Sequence, residues 1–527
     1  MIAFSLPDWR SSISGILLTV VAIPGVSPEA QEVSCMAGFA GPYPCQNVDL
    51  KAFLPTNALI GGTGSDIWGW TDPLTGKEYA IQGHGAAVPT STNSATTFTD
   101  ISDPENPIYL GFLPAPAINL LWRDVKVYQN HAYIVGDANV DTDHGVEIFD
   151  LTQLRGLNGT PPVMFAATSV YHGTATQNVG NAHNIWINEE SGFLYVVASS
   201  SCGGGMHVAN LALDPANPQF VSCIDTIGLS GQPLNVHDAQ CVVYRGPDSE
   251  HFGKEICFNA NEDELHVVDV NDKSSPVVLA KRVYEGLGYV HQGTLTEDHA
   301  YFLSNDELDE LNALTAAAPH NTHTYLWDIR DLDNPVQMPT FVGSSAAIDH
   351  NMYVRGQYLF QTNYTAGLRI IDIFDVANAN LSEIAFFDTH PADNATTFAG
   401  TWSNYAFFPS GTVVASNIED GLYVLEPNLP ADLDGDYVAD ANDNCIEVSN
   451  PTQCDTNGDG FGNHCDADLD NNGIVNQIDL GMLRAQFGDT GESDADLDCN
   501  RVVNQIDLGM LRDAFGEAPG PSGRMAN

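Results

Sequence analysis

The segment "LHVVDVNDKSSPVVLAKRVY" (Leu265 to Tyr284) reads as a strand ending in Asp, a turn closed by Pro, and a second strand. Val and Leu dominate the flanks, which suits pleated, packed backbone. Pro ends the first run and shapes the turn. The same phrase returns as "TTFTDISDPENPIYLGFLP" (Thr96 to Pro114), "MHVANLALDPANPQFVSCIDT" (Met206 to Thr226), "TYLWDIRDLDNPVQMPTFVG" (Thr324 to Gly343) and "LRIIDIFDVANANLSEIAFFD" (Leu368 to Asp388). "VEIFDLTQLRGLNGTPPVMFAA" (Val146 to Ala167) is a stretched version.

A second pair of strand-like runs precedes each phrase, as in "HNIWINEESGFLYVVAS" (His183 to Ser199) and "HNMYVRGQYLFQTN" (His350 to Asn363). Four strands over roughly 50 to 60 residues is the size of a propeller blade with its loops. Seven units start at Asp66, Asp124, His183, His237, His291, His350 and Trp402. The last stops one strand short, after "GLYVLEP" (Gly421 to Pro427). The missing strand is assigned to "VDLKAFLPT" (Val48 to Thr56), which resembles the fourth strand of the first unit, "IYLGFLPAP". The expected fold is mainly β, a seven-bladed β-propeller followed by a small calcium-binding loop-helix tail. Closure by the N-terminal strand would leave no sheet edge open.

The segments "VVDV", "IIDI", "LWDI" and "IFDL", with "NAHNIWI" and "VHDAQ" between them, resemble the LVIVD repeat. The stretch from about Cys35 to Pro427 is similar to the choice-of-anchor B family of secreted bacterial proteins. That resemblance implies a propeller displayed outside the cell and implies no particular reaction.

Composition sets outer bounds. The chain of 527 residues is too long for one ordinary core. Its formal net charge of -50, from 68 acids against 18 bases, excludes the basic footprint of a nucleic-acid binder. Arg10 followed by "ISGILLTVVAIPGV" (Ile13 to Val26) reads as a secretory signal over residues 1–30. No later stretch is long and apolar enough to span a bilayer. The 10 cysteines are consistent with disulfides outside the cytoplasm. Cys35 with Cys45, Cys202 with Cys223 and Cys241 with Cys257 are natural pairs, leaving Cys445, Cys454, Cys465 and Cys499 for the tail, although spacing alone does not fix connectivity.

Aligning the unit starts produces two columns. One reads Ser65, Arg123, His183, His237, His291, His350, Trp402; the next reads Asp66, Asp124, Asn184, Asp238, Gln292, Asn351, Ser403. Equivalent positions of a propeller's first strands face one another around the axis. His183, His237, His291 and His350, with Asp66, Asp124 and Asp238, are therefore a candidate axial site for a transition metal or a polar ligand. The competing role is structural, a His bonding the next blade's backbone. His320 lies in, and His323 directly follows, the longest insertion, Asn305 to Thr322, which reads as an acidic solvated loop.

After Pro430 the chain turns to Asp, Asn and Gly. Residues 431–467, with "DLDGDYVADANDNC" and "NPTQCDTNGDGFGNHCD", resemble thrombospondin type 3 repeats. The matching calcium ligands are Asp432, Asp434, Asp436, Asp440, Asp443, Asp455, Asn457, Asp459 and Asp466. Two twelve-residue loops follow within 468–517. Asp468, Asp470, Asn472, Ile474 (by its carbonyl), Asn476 and Asp479 fall on the ligand positions of a calcium loop. Asp496, Asp498, Asn500, Val502, Asn504 and Asp507 do so in the second. The sixth position is Gly473 in one and Arg501 in the other, where Gly handles the turn better. Two such loop-helix units resemble a dockerin domain, which implies a cohesin-like partner. By that resemblance Gln477, Ile478, Gln505 and Ile506 take part in partner choice. Residues 518–527 are expected to be a flexible end.

These readings favour a secreted, surface-associated binding or adhesion protein over the span 31–430, presenting a ligand face to a glycan or protein, with the tail tethering it to a scaffold. A metal-dependent hydrolase acting on polysaccharides or esters is the alternative, and a purely architectural component is a third. With no GxSxG, HExxH or Walker-type loop, the balance is against catalysis.

Overall fold

A computed structural model describes residues 32–85, 94–117, 120–137, 143–225, 227–233, 235–315 and 320–524. The signal expected over residues 1–30 lies outside the described residues.

Seven sheets, antiparallel apart from the short strand Val163–Met164 that joins Ile108–Pro114 in parallel, make a propeller. In the fourth blade the strands Asp238–Val243, Glu255–Ala260, Leu265–Asp269 and Val277–Arg282 lie side by side in chain order. The central strand Leu265–Asp269 is buried on both faces, whereas the outer strand Val277–Arg282 has its first residues exposed. Blades stacked face to face remove both sides of their middle strands from water, so these runs are mostly apolar, with a few buried polar residues such as His266 and Asn259. Phe258 of this blade stacks on Phe302 of the next, with ring centroids 5.0 Å apart.

The N-terminal strand closes the ring. Val48–Pro55 runs antiparallel to Gly421–Pro427, from Val48 opposite Pro427 to Pro55 opposite Gly421. It takes the outer place of the seventh blade, whose inner strands are Thr401–Tyr405 and Val413–Asn417. A register shift between Leu50 and Ala52 marks Lys51. Its ammonium reaches Glu32 at 2.8 Å, Glu426 at 2.9 Å and Glu105 at 3.2 Å, tying the N-terminal segment, the last blade and the first. A second latch precedes it: Tyr43–Gln46 pairs with Asn380–Phe387, the outer strand of the sixth blade. The Cys35–Cys45 disulfide holds that segment.

The tail has few regular elements before two short helices, Gln477–Ala485 and Gln505–Asp513. Asn476 and Asn504 cap them, each within a reciprocal capping box completed by Asp479 or Asp507. Leu469, Val475, Leu483, Leu497, Val503 and Leu511 form their shared small core. Disulfides join Cys445 to Cys465 and Cys454 to Cys499. The spacer leans on the sixth blade, where the Arg355 guanidinium sits 3.6 Å from the Tyr437 ring centroid and Gln357 N–H donates to the Tyr437 carbonyl. Residues near the C-terminus pack back on the spacer, Gly523 N–H donating to the Asp443 carbonyl and Gly520 N–H to that of Cys465. Among the described residues no helix is long and apolar enough to cross a membrane.

A chain shortened to begin at Asn57 should expose the Gly421–Pro427 edge. We expect a lower unfolding temperature and self-association by light scattering; a monomer of unchanged stability would contradict the closure.

Candidate metal centre

Few backbone bonds join the inner strands, Asp66 N–H to the Arg123 carbonyl at 3.1 Å being one, and side chains make further bridges. Ser65 Oγ donates to the Arg123 carbonyl and accepts from Arg123 N–H. Asp124 accepts from Ile185 N–H at 2.8 Å, Asn184 donates to the His237 carbonyl at 3.0 Å, and Gln292 accepts from Met352 N–H at 2.6 Å. Each blade thereby satisfies its neighbour's buried backbone groups.

The four histidines of the first column form a continuous arc. Ring centroids are 4.9 Å apart from His183 to His237, 4.5 Å from His237 to His291 and 4.3 Å from His291 to His350. Trp402 continues it, 4.5 Å from His350, and Trp122 lies 5.7 Å from His183 at the other end. His237 Nδ1 lies 3.0 Å from the His291 carbonyl, and His350 Nδ1 lies 2.5 Å from that of Trp402. A carbonyl only accepts, so both Nδ1 atoms carry the proton, and each Nε2 keeps a lone pair whenever its ring is neutral. Burial, reinforced for His237 and His291 by repulsion from neighbouring imidazoles, holds these two well below the usual histidine range. Burial brings His350 to about 3. At His183 burial also opposes protonation, but the Asp137 carboxylate outweighs it and raises the pKa.

Glu307 faces this arc. Its carboxylate oxygens lie 3.6 Å from His350 Nε2 and 4.0 Å from His291 Nε2. Tyr364 Oη donates to Glu307 Oε1 at 2.7 Å. Burial pushes its pKa up to about 7 against the pull of that hydrogen bond. Ligand atoms of His291, Glu307 and His350 lie within 4.8 Å of one another, close enough to share a metal ion. Neither Glu307 nor Asp137 stands out in the sequence, because each follows the end of a strand rather than opening a repeat unit.

The second column forms a separate layer. Lys126 Nζ sits 2.5 Å from Asp124 and 3.2 Å from Asp66, and lies over the Trp68 ring. Asn351 donates to Asp66 and to Ser403, and Gln292 donates to Asp238 at 2.9 Å. Thus Asp66 and Asp124 are engaged by an ammonium, and Asp238 by an amide. Burial drives Asp238 up to about 6. In the first column Arg123 turns to Glu147 at 2.6 Å.

The insertion that reads as solvated begins as a buried acidic wall: Asp306, Asp309 and Glu310 are all at most 3% exposed. The solvated reading fails there because Asp309 and Glu310 open a short helix, Asp309–Thr315, folded against the strands.

In the tail, carboxylates close each loop on backbone amides. Asp432 accepts from Gly435 and Tyr437 N–H, Asp436 from Val438 and Asn450, Asp440 from Leu433, and Asp443 from Cys445. Asp455 accepts from Gly458 and Gly460, Asn457 from Asp459, Asp459 from Phe461, and Asp466 from Asp468. Oxygens of Asp432, Asp434 and Asp436 lie within 4.8 Å of one another. Asp468 accepts from Asn472 and Gly473, and Asp496 from Asn500 and Arg501. Asp470 and Asp498 also accept from Asn472 and Asn500. Ile474 and Val502 carbonyls accept from Asn476 and Asn504. Arg501 adopts φ +63°, the conformation that Gly473 takes at φ +89°. Burial, then neighbouring aspartates, raise Asp434, Asp466 and Asp496 to about 7. Ile478 and Ile506 stand 57% and 56% exposed beside Gln477 and Gln505 at the helix starts.

No family profile matches the chain, and no curated protein does. Among solved structures, a protein of Bacteroides fragilis NCTC 9343, provisionally named a 6-phosphogluconolactonase, matches with a TM-score of 0.41 and 12% identity, covering 60% of this chain and 82% of its own. So distant a likeness carries no argument about chemistry. The expectation against catalysis is nonetheless overturned by the side chains: the propeller holds His, Asp and Glu groups able to coordinate a metal, one of them on the axis.

The raised pKa of Glu307 makes a signed prediction. Its proton leaves the unfolded chain near 4.5 and the folded chain near 7. Between these values the folded state holds the extra proton, so stability falls as pH rises and levels off above, by up to about 3 kcal/mol. Glu307→Gln should remove that share of the slope in urea unfolding with chelator present; identical slopes would reject it.

Proposed function

We propose that the propeller is an extracellular metal-dependent hydrolase acting on a polysaccharide or ester, tethered by its tail. The observation that carries this reading is the pair of Nδ1–H to carbonyl bonds at His237 and His350. Outer hydrogen bonds of this kind orient metal-binding imidazoles, leaving Nε2 as the donor atom. His291 and His350, with His237 beside them, are neutral nitrogen donors suited to a divalent transition metal. Such an ion supplies a Lewis acid for polarising the scissile bond. Glu307, poised near neutrality and oriented by Tyr364, accepts a proton from the attacking water and returns it to the leaving group. The apolar faces of Trp122 and Trp402 flank the arc and suit a sugar or acyl group.

Elemental analysis of the purified chain is expected to find one equivalent of a transition metal, lost in His350→Ala and in His291→Ala. Glu307→Gln should lose turnover by about 100-fold or more on a panel of esters and polysaccharides. A chain without such a metal, inert on the whole panel, would return the propeller to a binding role.

Residues 468–517 we read as a dockerin-like module folded on calcium, and 431–467 as its calcium-stiffened spacer. Repulsion among the aspartates of each loop favours a bound cation, and the paired exposed isoleucines suit a cohesin-like domain or cell-surface scaffold. Arg501→Gly should relieve the left-handed backbone and tighten calcium binding by the second loop by about fivefold. Calorimetric titration checks this; unchanged affinity would show that Arg501 is accommodated without cost.

A further inference from the structure

The buried wall behind the histidine arc holds oxygens that no donor among the described residues satisfies. Asp306 is fully engaged, accepting from Tyr284 Oη, Gly288 N–H, Tyr289 N–H and Leu308 N–H. Its neighbours are not. Asp309 Oδ1, both oxygens of Glu310 and Asp349 Oδ1 have no hydrogen-bond donor among the described residues. These side chains are 3%, 1% and 0% exposed. The remaining oxygens of the aspartates are held from outside, Asp309 Oδ2 by Tyr325 Oη at 2.7 Å and Asp349 Oδ2 by Gln361 Nε2 at 3.5 Å. Glu310 lies within hydrogen-bonding reach of Asp309, and it is the strongest charged neighbour of Asp349. Among the described residues no lysine or arginine pairs with any of the three; the basic neighbours are His323 Nδ1, 3.3 Å from Asp309 Oδ2, and His320, a ring nitrogen of which lies within 4.8 Å of ligand atoms of both.

We propose that Asp309, Glu310 and Asp349 bind a calcium ion between the fifth and sixth blades. Buried carboxylates must be neutralised, and four unclaimed oxygens on three side chains make a hard, all-oxygen donor set. The site backs onto the histidine arc through two dipeptides. In Asp306–Glu307 the first residue lines this wall and the second meets the imidazoles. In Asp349–His350 the same division holds. Asp349 and His350, adjacent in the chain just before the strand Met352–Arg355, thus put one residue in each site, and Glu307 directly follows the wall residue Asp306. A cation here would brace Glu307 and His350 from behind. The proposal does not depend on hydrolysis, or on calcium in the tail.

The test uses the full chain. Calcium bound at saturation, measured by equilibrium dialysis, is expected to fall by one equivalent in Glu310→Gln and in Asp349→Asn, with the tail contribution unchanged. Either folded variant retaining the wild-type stoichiometry would overturn the proposal, because Glu310 and Asp349 would then be protonated acids sharing their burial. Should both variants misfold, crystals of the wild-type chain soaked in terbium decide the matter. An anomalous peak between Glu310 and Asp349 is expected, and its absence would refute the site. A zinc signal there with none for terbium would refute it equally.

Discussion

Ring closure is the constraint on which the molecule depends. Seven twisted sheets arranged around an axis have two free ends, and nothing within a single blade determines where the next one stands. Pairing Val48–Pro55 with Gly421–Pro427 makes the first and last blades one covalent and hydrogen-bonded unit. Lys51, enclosed by three glutamates, and the Tyr43–Gln46 latch on the sixth blade reinforce the joint. Once the circle is closed, strand starts separated by more than a hundred residues are held face to face. The histidine arc and the Lys126 layer are consequences of that geometry.

At the axis one hydrogen bond serves two ends. The sequence poses structural and metal-binding roles for the histidines as rivals. In the fold, the bond by which His350 joins the next blade's carbonyl is also the bond that leaves Nε2 as the only atom with a lone pair. Stitching the ring and preparing a ligand are therefore compatible, and burial keeps His237, His291 and His350 neutral for both. The Lys126 layer contrasts with this: there the protein supplies its own cation and the carboxylates are occupied.

Blade number, strand order and closure were legible because the Asp-turn-Pro phrase marks the same joint in unit after unit. Ring position could be read for the same reason, since the histidines open their units at one register. Glu307, Asp137, Asp309 and Glu310 follow strand ends, where loop lengths differ and no column forms. Asp349 does sit in register, one residue before His350, but its partner acids come from the preceding unit's insertion. Their negative charge suggested solvent, whereas the short helix Asp309–Thr315 carries them inward. The blade-six latch was also hidden, because Tyr43–Gln46 is too short to show a strand period.

The Cys454–Cys499 bridge has a mechanical consequence. It ties the spacer to the second loop of the terminal module across a sequence separation of 45 residues. Tension applied beyond Cys499 passes through the sulfur link to Cys454 and bypasses the intervening chain, the first loop and its helix included. About 150 Å of slack that the same residues would yield if pulled straight is withheld. Pulled from its ends, this segment would extend little, and the first loop-helix unit would be shielded from the load.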